Sequence, residues 1–178
     1  MYRKTGKLIS LSEQNLVDCD PINLGCNGGL EMFAFDFVKM RGINAEEDYP
    51  YEGQKNTCRF NNLTRVHFPI TDYIEITPGD EEALTNYLAT KGPIPVGINA
   101  GQRSFQHYDS GTYYDSDCKK GYLNHSVLVV GYGGDRYGDY YIVKNSWGTD
   151  WGNDGYVAIT RNHGNACGIA TDATIPIA

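Results

Sequence analysis

Two short segments of this 178-residue chain carry side chains that can move protons. Asn124-His125-Ser126 opens the most apolar run of the sequence, Val127-Leu128-Val129-Val130. Lys144-Asn145-Ser146-Trp147-Gly148 closes a second β-prone run, Tyr140–Val143. If these runs are neighbouring strands, His125 at the mouth of one meets Asn145 at the end of the other. A Cys/His/Asn site needs that arrangement: the imidazole takes a thiol proton to give a thiolate–imidazolium pair, and the amide oxygen holds the ring. Each residue alone says little. A histidine at a strand end is ordinarily a satisfied core or surface residue, and an asparagine before Ser-Trp-Gly is ordinarily a turn residue. His67, His107 and His163 lack such a neighbourhood. His163-x3-Cys167 has the form of half a metal site, but the sequence holds no second half, so neither metal nor cofactor is expected.

The elements that must position these residues follow from periodicity. Ser10-Leu11-Ser12-Glu13 reads as a capping box, with Ser10 accepting from the backbone and Glu13 reaching back, ahead of a helix that Asp18-Cys19-Asp20-Pro21 stops. Leu30, Phe33, Ala34, Phe37, Val38 and Arg41 follow helical spacing, and Gly42 closes the run. Between these helices, Gly25-Cys26-Asn27-Gly28-Gly29 demands tight backbone turns. A third helix is predicted over 80–89, with Lys91-Gly92-Pro93 ending it. Val96–Ala100, Ser126–Tyr132, Tyr140–Lys144 and Gly155–Arg161 read as strands divided by glycine turns. Helices first and strands second give an α+β chain of two lobes, 1–71 and 72–178.

Composition narrows the function classes. A net charge of −7 argues against a nucleic-acid binder, and no apolar run approaches the roughly 18 residues that span a bilayer. Five cysteines at 19, 26, 58, 118 and 167 include no C-x-x-C pair, which suits disulfides in an exported or lysosomal protein better than a zinc site. Yet Met1-Tyr2-Arg3-Lys4-Thr5 has no apolar signal region, so the expectation is a chain that lacks its beginning.

The 8–19 segment, Leu8-Ile9-Ser10-Leu11-Ser12-Glu13-Gln14-Asn15-Leu16-Val17-Asp18-Cys19, closely resembles the papain family of cysteine proteases in its cathepsin L-like branch. So do Gly25-Cys26-Asn27-Gly28-Gly29-Leu30, Asp48-Tyr49-Pro50-Tyr51, His125 with its valine-rich strand, Lys144 to Gly148 with Trp151-Gly152, and Cys167-Gly168-Ile169-Ala170. The resemblance implies a papain-like two-lobed fold, with a helical left lobe and an antiparallel β-barrel-like right lobe, truncated at the N-terminus. It implies a cysteine endopeptidase with His125 and Asn145 as catalytic residues, working through an acyl-thioester. In this family the nucleophile precedes the His and Asn by about 130–150 residues, which places it roughly 5–25 residues before Met1. This chain is then inactive as it stands. A different reading is a catalytically inactive papain-like chain that binds peptides or a partner through the same cleft, and a rival idea makes Cys26 a replacement nucleophile.

By resemblance, Cys19 pairs with Cys58 and Cys118 with Cys167, leaving Cys26 unpaired. Gly28 and Gly29 line the cleft, Gly29 pairing its backbone to an extended peptide. Trp147 shields the His125–Asn145 contact. Leu30, Gly97, Asn124, Ser126 and Asp172 fall where relatives build the pocket for the second side chain before the scissile bond. Asp172 there predicts acceptance of Arg beside Leu or Phe, and Ser126 narrows the pocket. Expected partners are peptide or protein substrates and a propeptide or cystatin-like inhibitor, with no nucleic acid or membrane; the full-length parent is expected to be lysosomal or secreted. Of two glycosylation motifs, Asn62-Leu63-Thr64 is the candidate, and Asn124-His125-Ser126 is expected bare.

Overall fold

The computed structural model describes residues 6–61, 64–66, 70–118 and 120–177. The readings made on Met1, Asn62 and His67 lie outside them. The chain divides into two compact units, Met1–Ile74 with Pro176–Ala178, and Glu75–Ile175.

The first unit contains α1 (Glu13–Cys19), a 3-10 turn (Gly25–Asn27), α2 (Glu31–Arg41), β1 (Ile43–Asn44) and β2 (Arg65–Val66). The capping residue of α1 is Ser12, not Ser10. Ser12 Oγ accepts from the Asn15 N–H at 2.9 Å and donates to the Tyr49 carbonyl at 2.5 Å. Ser10 is unavailable because extended pairing holds the backbone up to residue 12. The Glu46 N–H donates to the Ser10 carbonyl, Leu11 bridges Ala45, and the Ser12 N–H donates to the Asn44 carbonyl. Helix α2 ends where expected, at Gly42, whose φ of 79° suits glycine and whose N–H donates to the Val38 carbonyl at 2.8 Å. Its buried side packs Phe37 and Val38 with Ile43 and Ile70.

Buried polar groups hold this unit together as much as apolar ones. Asp18 accepts from the Gln14 amide (2.8 Å), the Asn56 N–H (2.7 Å) and the Tyr49 hydroxyl (2.7 Å). Burial raises the Asp18 carboxyl pKa, but these donors and the Arg59 charge outweigh it and hold the group below its ordinary range. Cys19 and Cys58 form a disulfide.

The second unit is a five-stranded sheet, open among the described residues, in the order β4 (Ile94–Ile98), β6 (His125–Asp135), β7 (Gly138–Lys144), β8 (Tyr156–Thr160), β5 (Thr112–Tyr113). Three pairings are antiparallel, while β5 runs parallel to β8. The lobe expected to resemble a barrel is thus an open sheet with one parallel edge. Alternation decides its faces: Ile94, Val96, Ile98, Val127, Val129, Tyr141, Val143, Val157 and Ile159 are buried. Helix α3 (Glu81–Lys91) adds Leu84 and Leu88; Asp80 caps it by accepting from the Ala83 N–H at 2.8 Å. Short helix α4 (Arg103–Gln106) follows β4, and Cys118–Cys167 is the second disulfide.

The two remaining strands, β3 (Asp72–Glu75) and β9 (Thr174–Ile177), pair with each other, and the division between units cuts both. Within the first unit, the Thr71 N–H donates to the Ile177 carbonyl at 2.8 Å. Among the described residues, no helix is long and apolar enough to cross a membrane.

Candidate active site

His125 is the first residue of β6 and Asn145 follows the last residue of β7. The β6–β7 pairing is antiparallel and sets Leu128 opposite Lys144, so the start of one strand lies beside the end of the next. His125 Nε2 stands 2.8 Å from Asn145 Oδ1. The tautomer follows from a third group. The Ser146 N–H donates to the same Asn145 oxygen at 2.8 Å, which assigns that atom as the carbonyl oxygen, because an N–H cannot donate to an amide NH2. An oxygen that only accepts requires Nε2 to carry the hydrogen. In the neutral ring the lone pair is then on Nδ1, the nitrogen that can accept a proton. Asn145 itself is buried, and its backbone N–H donates to the Gly155 carbonyl at 2.9 Å.

Trp147 lies against the imidazole, with ring centroids 4.9 Å apart and planes 31° from parallel. It is held from behind. Fully buried Phe105 meets Trp147 edge-on at 5.7 Å and also touches Tyr113 and Trp151, and the Trp151 indole donates to the Gln106 carbonyl at 3.1 Å. Sequence reasoning missed this aromatic backing. Its residues are scattered between 105 and 151, and α4 is too short to show a period.

Four of the five pocket candidates lie in this second unit. Gly97 pairs with Ser126 across β4 and β6, and its N–H donates to the Asp172 carbonyl at 2.9 Å. A Cβ on Gly97 would stand 3.5 Å from the Asp172 Cβ and 3.0 Å from Leu123 Cδ1, so a side chain there would fill the space these residues border. Asn124, next to His125, spends its side-chain oxygen on the Ala100 N–H at 2.9 Å. These residues therefore cluster around the β4–β6 edge that begins at His125. A hollow of about 880 Å3, bordered by Tyr108, Tyr137, Tyr140 and Tyr156, has none of the candidate residues in its lining.

Gly28, Gly29 and Leu30 belong to the first unit. Gly28 has a φ of 108°, and its carbonyl accepts from the Leu24 N–H at 2.9 Å. Asn23 clamps Leu30 on both sides: its oxygen accepts from the Leu30 N–H at 2.9 Å and its amide donates to the Leu30 carbonyl at 3.2 Å. Asp20 in turn accepts from the Asn23 amide at 2.8 Å. A Cβ on Gly29 would collide with the Asn23 side chain, which explains glycine at that position. The Leu30 side chain is exposed, as is Cys26, the free cysteine. Asn23 was also missed. Asp20-Pro21 signals a turn, but nothing in it foretells a side chain acting as backbone partner seven residues on. Among the described residues, no group of three or more His, Cys, Asp or Glu could hold a metal ion.

Residues 1–177 match the family described as papain family cysteine protease. A cathepsin L-like protein of Caenorhabditis elegans is 51% identical over 98% of this chain and 53% of its own length. Digestive cysteine proteinase 1 of Homarus americanus is 48% identical over 98% of the chain and 55% of its own length. Among solved structures, digestive procathepsin L 3 of Tenebrio molitor larval midgut superposes with a TM-score of 0.94 at 44% identity, over 99% of this chain and 58% of that one. The chain thus spans little more than half the length of these relatives. With a family match along nearly its whole length, it belongs to the papain family of cysteine proteases, and its relatives are of the cathepsin L type.

Proposed function

We propose that this chain is the His- and Asn-bearing part of a cathepsin L-like cysteine endopeptidase whose nucleophilic thiol lies in sequence ahead of residue 1. The observation that carries the reading is the His125 Nε2–Asn145 Oδ1 contact of 2.8 Å, with its oxygen fixed by the Ser146 N–H. That contact leaves Nδ1 as the base. In the reaction, Nδ1 takes the thiol proton, the thiolate attacks the scissile carbonyl, and the tetrahedral intermediate expels the amine with the same proton. Water then enters, loses a proton to Nδ1, and the acyl-thioester opens to acid and thiolate. Asn145 keeps the ring in one tautomer and one orientation throughout. Trp147 limits water at the His–Asn hydrogen bond, which strengthens it.

Gly29 supports an extended substrate: its backbone carries none of the hydrogen bonds found among the described residues, so it is free to pair with a peptide as an added strand. In the second unit, Gly97, Asn124, Ser126 and Asp172 border the pocket for the second side chain before the scissile bond, where Asp172 admits Arg beside Leu; Leu30 of the first unit is a further contact for the substrate. Peptides and proteins are the substrates, a propeptide or cystatin-like inhibitor the regulatory partner, and the lysosome or the extracellular space the site of action. Cys26 is a disulfide partner of the preceding sequence rather than a nucleophile.

The test uses the full-length protein and fluorogenic dipeptide amides carrying Leu or Arg at the second position. His125→Ala is expected to lower kcat/KM by about a thousandfold or more. Full-length protein that contains no further cysteine and cleaves neither amide would overturn the reading in favour of an inactive peptide-binding chain.

A further inference from the structure

The buried carboxylate of Glu81 does work that the proposed chemistry does not use. Its two oxygens accept from two backbone N–H groups far along the chain, Asn162 at 2.7 Å and Asn165 at 2.6 Å. Both asparagines are left-handed, with φ of 58° and 62°. Left-handed backbone is disfavoured for residues other than glycine, and asparagine tolerates it better than most. One carboxylate thus pins both ends of a strained loop.

That loop aims the Asn165 side chain. Its oxygen accepts from the Ala170 N–H at 2.8 Å, and its amide donates to Thr171 Oγ1, also at 2.8 Å. Thr171 Oγ1 in turn donates to the Lys120 carbonyl at 3.2 Å. The next residue is Asp172, whose carbonyl accepts from the Gly97 N–H at 2.9 Å. From helix α3 to the pocket edge, the path runs through hydrogen bonds and the peptide bond between Thr171 and Asp172, all within the second unit.

We infer that Asn165 is a positioning residue for substrate selectivity: anchored by Glu81, it holds the 170–172 segment so that Asp172 stands against Gly97. The inference rests on the proposed role of Asp172 in the pocket. It assigns selectivity to residues that touch no substrate. An acid at the edge of a pocket favours a guanidinium only while its backbone is held, because a free loop spends the attraction on ordering itself.

The experiment separates the side chain from the strain. Asn165→Gly keeps left-handed backbone easy and removes both side-chain hydrogen bonds; Asn165→Asp keeps the acceptor for Ala170 and tolerates the same backbone. In the full-length protein, Asn165→Gly is expected to lower the Arg/Leu ratio of kcat/KM by about tenfold, the size of one charge-assisted contact, with Leu hydrolysis unchanged. Asp172→Asn is expected to lower the ratio by a similar factor, Asn165→Asp to retain most of it, and Glu81→Gln to fall between. A second readout needs no activity: hydrogen exchange at the Gly97 amide is expected to quicken at least about tenfold in Asn165→Gly while Val129 in the sheet centre keeps its protection. Unchanged Gly97 exchange in Asn165→Gly overturns the positioning role, as does a ratio lowered by Asp172→Asn but not by Asn165→Gly. Faster Gly97 exchange with a ratio indifferent to Asp172→Asn overturns instead the pocket reading, and with it the link to selectivity.

Discussion

The two units are stabilised by opposite means. In the first, Ser12, Gln14, Asn15, Asp18, Asp20 and Asn44 are buried polar residues around a small apolar cluster, and Ser12, Gln14 and Asp18 are wired to segments 31 to 40 residues away. In the second, a sheet buries Ile94, Val96, Ile98, Val129, Tyr141, Val143 and Ile159 completely or nearly so, and few polar groups go inside. Apolar burial tolerates changes in protonation and fails when volume is lost; a buried polar network tolerates small volume changes and fails when one partner is removed. The His125–Asn145 contact sits on the second kind of support. Gly28 and Gly29 sit on the first.

The largest effect that would test this contrast is a cavity in the sheet. Ile94→Ala is expected to cost about 3–4 kcal/mol in urea unfolding, with amides of the second unit losing protection first. Equal loss in the first unit would show that the chain unfolds as one body and would break the comparison. Asp18→Ala comes next, at about 3 kcal/mol, because it strands the Gln14 amide, the Asn56 N–H and the Tyr49 hydroxyl without their acceptor. Its effect is expected at first-unit amides.

Titration offers a probe of each unit. Asp18 has a folded pKa below its unfolded value of about 3.9, so its contribution is complete above that value and is lost as pH falls through the lowered one. In acid, first-unit amides are therefore expected to lose protection as Asp18 is protonated, and Asp18→Asn to shift the acid midpoint. Tyr141 behaves in the opposite sense. Burial pushes it up to about 12, so its contribution is complete below pH 10 and is lost as pH rises from 10 through 12. Tyr49 is raised as well, chiefly by burial, so both units respond to alkali. Absorbance of ionised tyrosine against pH is expected to lose its latest step in Tyr141→Phe.

The smallest effects compare two helix caps, each accepting one backbone N–H of its helix. Asp80→Ala, at an exposed cap in the second unit, is expected to cost about 1 kcal/mol. Ser12→Ala in the first is expected to cost about 2 kcal/mol, because its hydroxyl both caps α1 and donates to the Tyr49 carbonyl. Equal costs would mean the polar network adds nothing to the cap.

What could be read from the sequence divides along similar lines. The sheet strands and the glycines ending α2 and α3 were legible, because alternation and left-handed caps leave local traces at Val127–Val129, Gly42 and Gly92. His125 and Asn145 were legible because each stands at the end of such a strand. Ser12 was misassigned since the competing pairing with residues 44–46 is distant in sequence. Asn23 and the Glu81–Asn165 contact left no trace, because a side chain bonding a remote backbone group obeys no period.

The hydrogen bond from Thr71 to Ile177 has a consequence for synthesis. The first unit joins residues 1–74 to residues 176–178, so a ribosome that has finished residues 1–74 has not finished the unit. At about 5–20 residues per second, roughly five to twenty seconds separate the two parts. During that interval the first unit must wait with one edge unpaired, while the second, continuous from 75 to 175, can complete itself before it.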